Sequence, residues 1–98
     1  MKLVTMIFDS GFEEEMRGVI DKLGFEGVTC VCKATGRGRT GPREGTTIWP
    51  GTNSIFLILT EDERVAPLVD ELKRFRSEQE KSFPVGLKVF ASDAEDLL

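Results

Sequence analysis

The side chains best equipped for chemistry cluster at Gly36-Arg37-Gly38-Arg39, the head of the stretch 36–53, GRGRTGPREGTTIWPGTN. Glycines let backbone amides approach an anion closely, and arginines beside them supply planar, charged donors. This pattern points to contact with an anion or a nucleotide; the competing explanation is ordinary loop chemistry with no ligand. Gly36, Gly38 and Gly41 also spell G-x-G-x-x-G after a strand-like segment. A dinucleotide site needs a helix to begin at those glycines, and Pro42, Gly45 and Pro50 forbid one. No Walker lysine-serine pair follows. The fingerprint is therefore accidental.

The stretch holds five glycines, two prolines, three arginines and the single tryptophan, so it reads as a long connection without structure of its own. Loops of that length in a compact domain tend to be functional or disordered. Arg37, Arg39 and Arg43 against Glu44 make it cationic on a chain of net charge −4, which suits an anionic ligand or an acidic partner. The net charge argues against nucleic acid. Trp49-Pro50-Gly51 reads as a turn in which Trp49 anchors the loop or meets a partner, with Asn53 as a turn or cap residue.

Other chemistry is sparse. The chain has no histidine and no tyrosine, and no serine sits in a nucleophile elbow. Cys30 and Cys32 form C-x-C on one face of a strand with Val28 and Ala34, where they read as small core residues. Two thiolates supply only half of a tetrahedral zinc set. Glu13, Glu14 and Glu15 open a helix and read as a solvated face that complements its dipole. Asp93, Glu95 and Asp96, in the acidic tail 93–98, offer hard-cation ligands or simply a frayed terminus. The chain is expected not to be an enzyme, and no metal site is assigned.

The elements that position these residues follow from periodicity. Lys2–Phe8 and Ser54–Thr60 are strands apolar at almost every position, hence covered on both faces. Ser10 and Glu13 suggest a capping box for a helix burying Phe12, Met16, Val19, Ile20 and Leu23, ended by Gly24. A second strand spans about Gly27 to Thr35. Thr60 and Glu63 suggest another capping box, for a helix burying Val65, Leu68, Val69, Leu72 and Phe75. Pro67 belongs in its first turn. Ser77–Ser82 reads as a turn or frayed end, and Val85–Ala91 as the last strand.

The order is βαββαβ, which predicts one α+β, ferredoxin-like domain over 1–98: a four-stranded antiparallel sheet with two helices on one face. In that arrangement the first and third strands are central, and these are the two that are apolar on both sides. The helices cover only one face. Burying the apolar side chains of the other would be worth about 1.5 to 3 kcal/mol each before association costs, which predicts an oligomer packed through its open faces. The longest apolar run, Ile55–Leu59, is far too short to cross a bilayer, and a cytoplasmic location is expected.

M-K-L-V-T at the start, Gly27-Val28-Thr29, Gly36-Arg37-Gly38-Arg39, the acidic start of the second helix and K-V-F-x-x-D at Lys88–Asp93 together resemble the PII-like signalling proteins. The resemblance spans nearly the whole chain. It implies a homotrimer with adenine nucleotides in the clefts between subunits, and a T-loop, here 36–53, that docks onto a membrane transporter or an enzyme. Carried over by position, Ile7, Thr29, Gly36, Gly38, Arg39 and Lys88 become candidate ligand residues, joined by Arg37 from the glycine-arginine motif, while Arg43, Thr47 and Trp49 of the loop are candidate partner contacts. The sequence departs from the family at Lys81–Leu87, where a glycine- and lysine-rich phosphate loop is expected, in lacking C-terminal arginines, and in a short T-loop without tyrosine. The implied effector is an adenine nucleotide or another small anion. Two alternatives use the same fold. One is a metal-responsive trimer similar to the divalent-cation-tolerance family, resting on Cys30, Cys32 and the acidic tail. The other is an acylphosphatase-like enzyme, resting on Arg39 and Asn53.

Overall fold

The computed structural model of the chain describes residues 1–38, 41–43, 51–81 and 86–98, with 41–43 as backbone only. Strands β1 (Lys2–Asp9), β2 (Thr29–Ala34), β5 (Asn53–Thr60) and β6 (Lys88–Asp93) form one antiparallel sheet in the order β2-β5-β1-β6. The remaining strands, β3 (Gly36–Gly38) and β4 (Gly41–Arg43), make a separate ribbon. Helices α1 (Glu13–Lys22) and α2 (Val65–Glu80) complete the ferredoxin-like α+β arrangement. β1 and β5 occupy the centre, as their two-sided apolarity requires.

Alternation along the central strands decides which side chains face the helices. Val4, Met6 and Phe8 of β1 and Phe56 and Ile58 of β5 are buried, and they pack with Met16 and Ile20 of α1 and Leu68 and Leu72 of α2. The Phe8 and Phe56 rings meet edge to face at 4.9 Å, an arrangement favoured by the ring quadrupoles. Residues one step out of register face the other way: Leu3, Ile7, Ile55 and Leu57 are half-buried, while Val31, Leu59 and Phe90 are exposed at 46%, 48% and 56%. One apolar face is therefore left open in a single chain.

Several local expectations are corrected. Neither capping box forms. Ser10 lies in a 3-10 turn, Ser10–Phe12, that Asp9 caps by accepting from the Gly11 amide, and its hydroxyl turns instead to Ser54 at 3.0 Å. Thr60 is buried within β5, and α2 is preceded by a 3-10 turn, Asp62–Arg64, with no side-chain cap. Starting at Val65, α2 keeps Pro67 in its first turn, where a missing N–H costs nothing. It continues to Glu80, through the polar residues read as a fraying end. Asn53 opens β5 rather than closing a turn.

The stretch 36–53 is not without structure: β3 and β4 pair antiparallel, Arg37 opposite Pro42 and Gly38 opposite Gly41. A two-stranded ribbon has outward positions on both strands where an N–H meets no ladder partner, so proline is compatible with it. At the other end, Asp93 is not part of a loose tail. It belongs to β6 and forms an ion pair with Lys2.

Candidate functional site

The register of the sheet sorts the candidate ligand residues. Ile7 stands opposite Lys88 on one side and Ile55 on the other, and Ile55 stands opposite Val31, giving the row Val31, Ile55, Ile7, Lys88. The next row on the same face is Thr29, Leu57, Thr5, Phe90. Residues opposite one another in an antiparallel ladder project to the same side, so Ile7, Lys88 and Thr29 all belong to the open face. Ile7 and Lys88 are brought together. Thr29 and Lys88 are not: β2 and β6 are the two edges of the sheet, three strand spacings or about 14 Å apart.

The ribbon leaves the sheet at the end where Asn53 pairs with both Asp9 and Ala34. A Cβ on Gly36 would stand 3.4 Å from Asn53 Nδ2, an ordinary van der Waals contact, so the base of the ribbon lies beside Asn53 without requiring glycine there. Arg37 is exposed. Gly38 pairs with Gly41 where β3 gives way to β4. The Ile7–Lys88 row lies two residues from the Asn53 row, at the same end of the sheet. Arg39, Thr47 and Trp49 fall outside the described residues, as does the side chain of Arg43.

A second cluster lies on the helix-covered side. Glu13, the first residue of α1, is half-buried, and its Oε1 accepts from Ser54 Oγ at 2.8 Å. The same oxygen faces Cys32 Sγ at 3.2 Å and Cys30 Sγ at 3.5 Å, and the two sulfurs stand 3.1 Å apart. Its other oxygen lies 3.8 Å from Arg17, whose guanidinium sits over the Phe56 ring at 5.3 Å to the centroid. Glu13 is thus no member of a solvated face, although Glu14 and Glu15 are exposed. Cys30 packs partly against the core as expected, but Cys32 is exposed and does not. Lys33 takes φ 58, left-handed for a non-glycine residue, and the pairing of β2 with β5 slips between Val31 and Ala34. This bulge interrupts the regular alternation after Val31, so Cys32 and Lys33 lie within it.

The electrostatics follow from the contacts. The Ser54 hydrogen bond, then that of Cys32, holds the Glu13 carboxyl below the usual carboxylate range. Burial, followed by the neighbouring Cys32 and Glu13, pushes the Cys30 thiol up to about 12. Among the described residues, Glu13, Cys30 and Cys32 are the group of potential metal-ligating side chains that converges, their atoms all within 4.8 Å. The acidic tail does not join them. Ser54 and Glu13 escaped sequence reasoning because they are far apart in the chain. The available signal was alternation, which turns both cysteines and Ser54 toward the helices.

The whole chain, residues 1–98, matches the family model for the nitrogen regulatory protein P-II, and it belongs to that family. Solved structures agree in fold. CPII, a nitrogen regulatory PII-like protein from Thiomonas intermedia, solved with ADP, AMP and bicarbonate, superposes with a TM-score of 0.71 at 20% identity, covering 95% of this chain and 86% of that one. A PII-like signalling protein from Thermus thermophilus gives 0.64 at 23% identity, covering 93% and 83%. No protein of curated function matches. No described helix is long and apolar enough to cross a membrane.

Proposed function

We propose that the chain is a non-enzymatic PII-like regulator. It assembles as a homotrimer through its open sheet faces, takes a small anionic effector, foremost an adenine nucleotide, in the clefts between subunits, and acts on a partner protein through the 36–53 T-loop. The observation that carries this reading is the placement of Thr29 and Lys88 on opposite edges of one face. A ligand shorter than the width of the sheet that touches both would draw them from two different chains. A cleft between subunits is then the natural site, and the exposed Val31, Leu59 and Phe90 supply the apolar surface that would hold those chains together.

Within such a cleft Lys88 supplies a point charge for a phosphate, Ile7 beside it an apolar wall, and Thr29 of a neighbouring chain a hydroxyl for the base. Gly36, Arg37, Gly38 and Arg39 begin the loop from its anchored end. The effector controls the loop only if it binds one loop arrangement better than another, and the loop in turn changes its grip on a membrane transporter or enzyme. The ADP and AMP bound to CPII support the ligand class. A cytoplasmic location fits this role.

The test is calorimetric titration of the purified protein, its mass measured by light scattering, with ATP, ADP, AMP, cyclic AMP and bicarbonate. A trimer that binds at least one of them supports the reading. A demonstrated monomer, or a trimer that binds none, overturns it.

A further inference from the structure

We propose that Glu13, Cys30 and Cys32 form an exchangeable site for a thiophilic divalent cation of the zinc class, separate from the anion cleft. The two cysteines come from β2 and the carboxylate from the first turn of α1. Their three ligand atoms make a triangle with sides of 3.1, 3.2 and 3.5 Å. A tetrahedral zinc ion with sulfur at about 2.3 Å and oxygen at about 2.1 Å needs separations of about 3.8 Å between sulfurs and about 3.6 Å between sulfur and oxygen. The triangle therefore needs to open by well under 1 Å, and the exposed Cys32 side chain can rotate to allow it.

The site is built beyond its three ligands. Ser54 Oγ, wholly buried, donates to Glu13 Oε1, and Ser10 and Thr52 continue the hydrogen-bonded chain, with Thr52 Oγ1 to Ser10 Oγ at 2.9 Å. Arg17 faces the remaining carboxylate oxygen. These partners fix the orientation of Glu13 in the manner of the outer shell of a metal centre. A disulfide between the cysteines would make no use of the carboxylate, and the sulfurs would have to close by about 1 Å rather than open.

The donor set names the cation class. Two thiolates favour a soft or borderline ion, while the carboxylate favours a divalent one over copper(I). Binding releases the two thiol protons to solvent, leaving the carboxylate and two thiolates around the ion. The exposed side at Cys32 leaves the fourth position to water, so the ion can exchange. The ligands lie on the helix-covered side of the sheet and Ile7, Thr29 and Lys88 on the other, so the two sites stand or fall separately.

The test is titration of the full chain, kept reduced, with cadmium ion alone, read by ultraviolet thiolate-to-metal absorption and competed with zinc. One cadmium per chain is expected, displaced by zinc. The paired substitution Cys30→Ser and Cys32→Ser removes the absorption, and Glu13→Gln, checked as folded by circular dichroism, weakens binding at least about tenfold. Absence of the absorption in the unmodified protein, cadmium binding that survives loss of both cysteines, or wild-type affinity in Glu13→Gln each overturns the proposal. No nucleotide enters the experiment, so its outcome is independent of the effector titration.

Discussion

Ser54 lies wholly buried in β5 and places its hydroxyl 2.8 Å from Oε1 of Glu13, tying the start of α1 to the strand that follows the 36–53 loop. A hydrogen bond to an ionised carboxylate is worth more than a neutral one. Ser54→Ala removes the donor and is expected to cost about 1 to 2 kcal/mol of unfolding free energy. Urea denaturation checks this, and a change within the error of the extrapolation would show that the pair contributes nothing to stability.

Because that contact favours the ionised form, it makes stability depend on acid. Glu13 titrates below its ordinary range in the folded protein. Its contribution is therefore complete above the ordinary carboxylate pKa and fades as pH falls through the lowered value. The stability difference between the wild type and Glu13→Gln should be constant near neutrality and shrink on acidification. Parallel urea midpoints measured down through the acid range decide it, and a difference that grows as pH falls is the contrary result.

The open face makes a separate prediction. Leu59 and Phe90 are large, apolar and about half exposed in a single chain. If the proposed trimer packs through this face, charges there, as in Leu59→Lys with Phe90→Glu, should convert it to monomer and leave far-ultraviolet circular dichroism unchanged. Light scattering after size exclusion is the measurement. A trimer that persists places the subunit contact elsewhere.

Lys88, beside Ile7 on the same face, is expected to meet the anionic part of the effector. A charge-assisted contact is worth about 1.5 to 3 kcal/mol, so Lys88→Ala should weaken effector binding about 10- to 150-fold without dissociating the proposed trimer. Calorimetry on the variant measures this, and unchanged affinity removes Lys88 from the site.

The fold was legible because its strongest signals are long. β1 and β5 are apolar on both faces, and α1 and α2 carry apolar stripes, so their central and covering positions follow from burial alone. Smaller features were hidden by tertiary competition. Ser10 and Thr60 have the types and spacing of helix caps, yet one hydroxyl turns to Ser54 and the other residue is buried in a strand. The β3–β4 ribbon escaped because three-residue strands of glycine, arginine and proline carry no periodicity. The cluster of Glu13, Cys30 and Cys32 depends on how α1 crosses β2, a relation that local patterning does not encode.

The pairing of Ala34 with Asn53 has a consequence for how such chains diverge. It closes the 36–53 stretch at its root, so residues added or removed beyond both the root and the β3–β4 ribbon alter mainly the entropy of closing a loop. That entropy grows logarithmically, with each doubling of length costing about 0.6 kcal/mol. Selection can therefore lengthen, shorten or rewrite the stretch at little cost to folding. The sheet can stay constant while the stretch is rewritten.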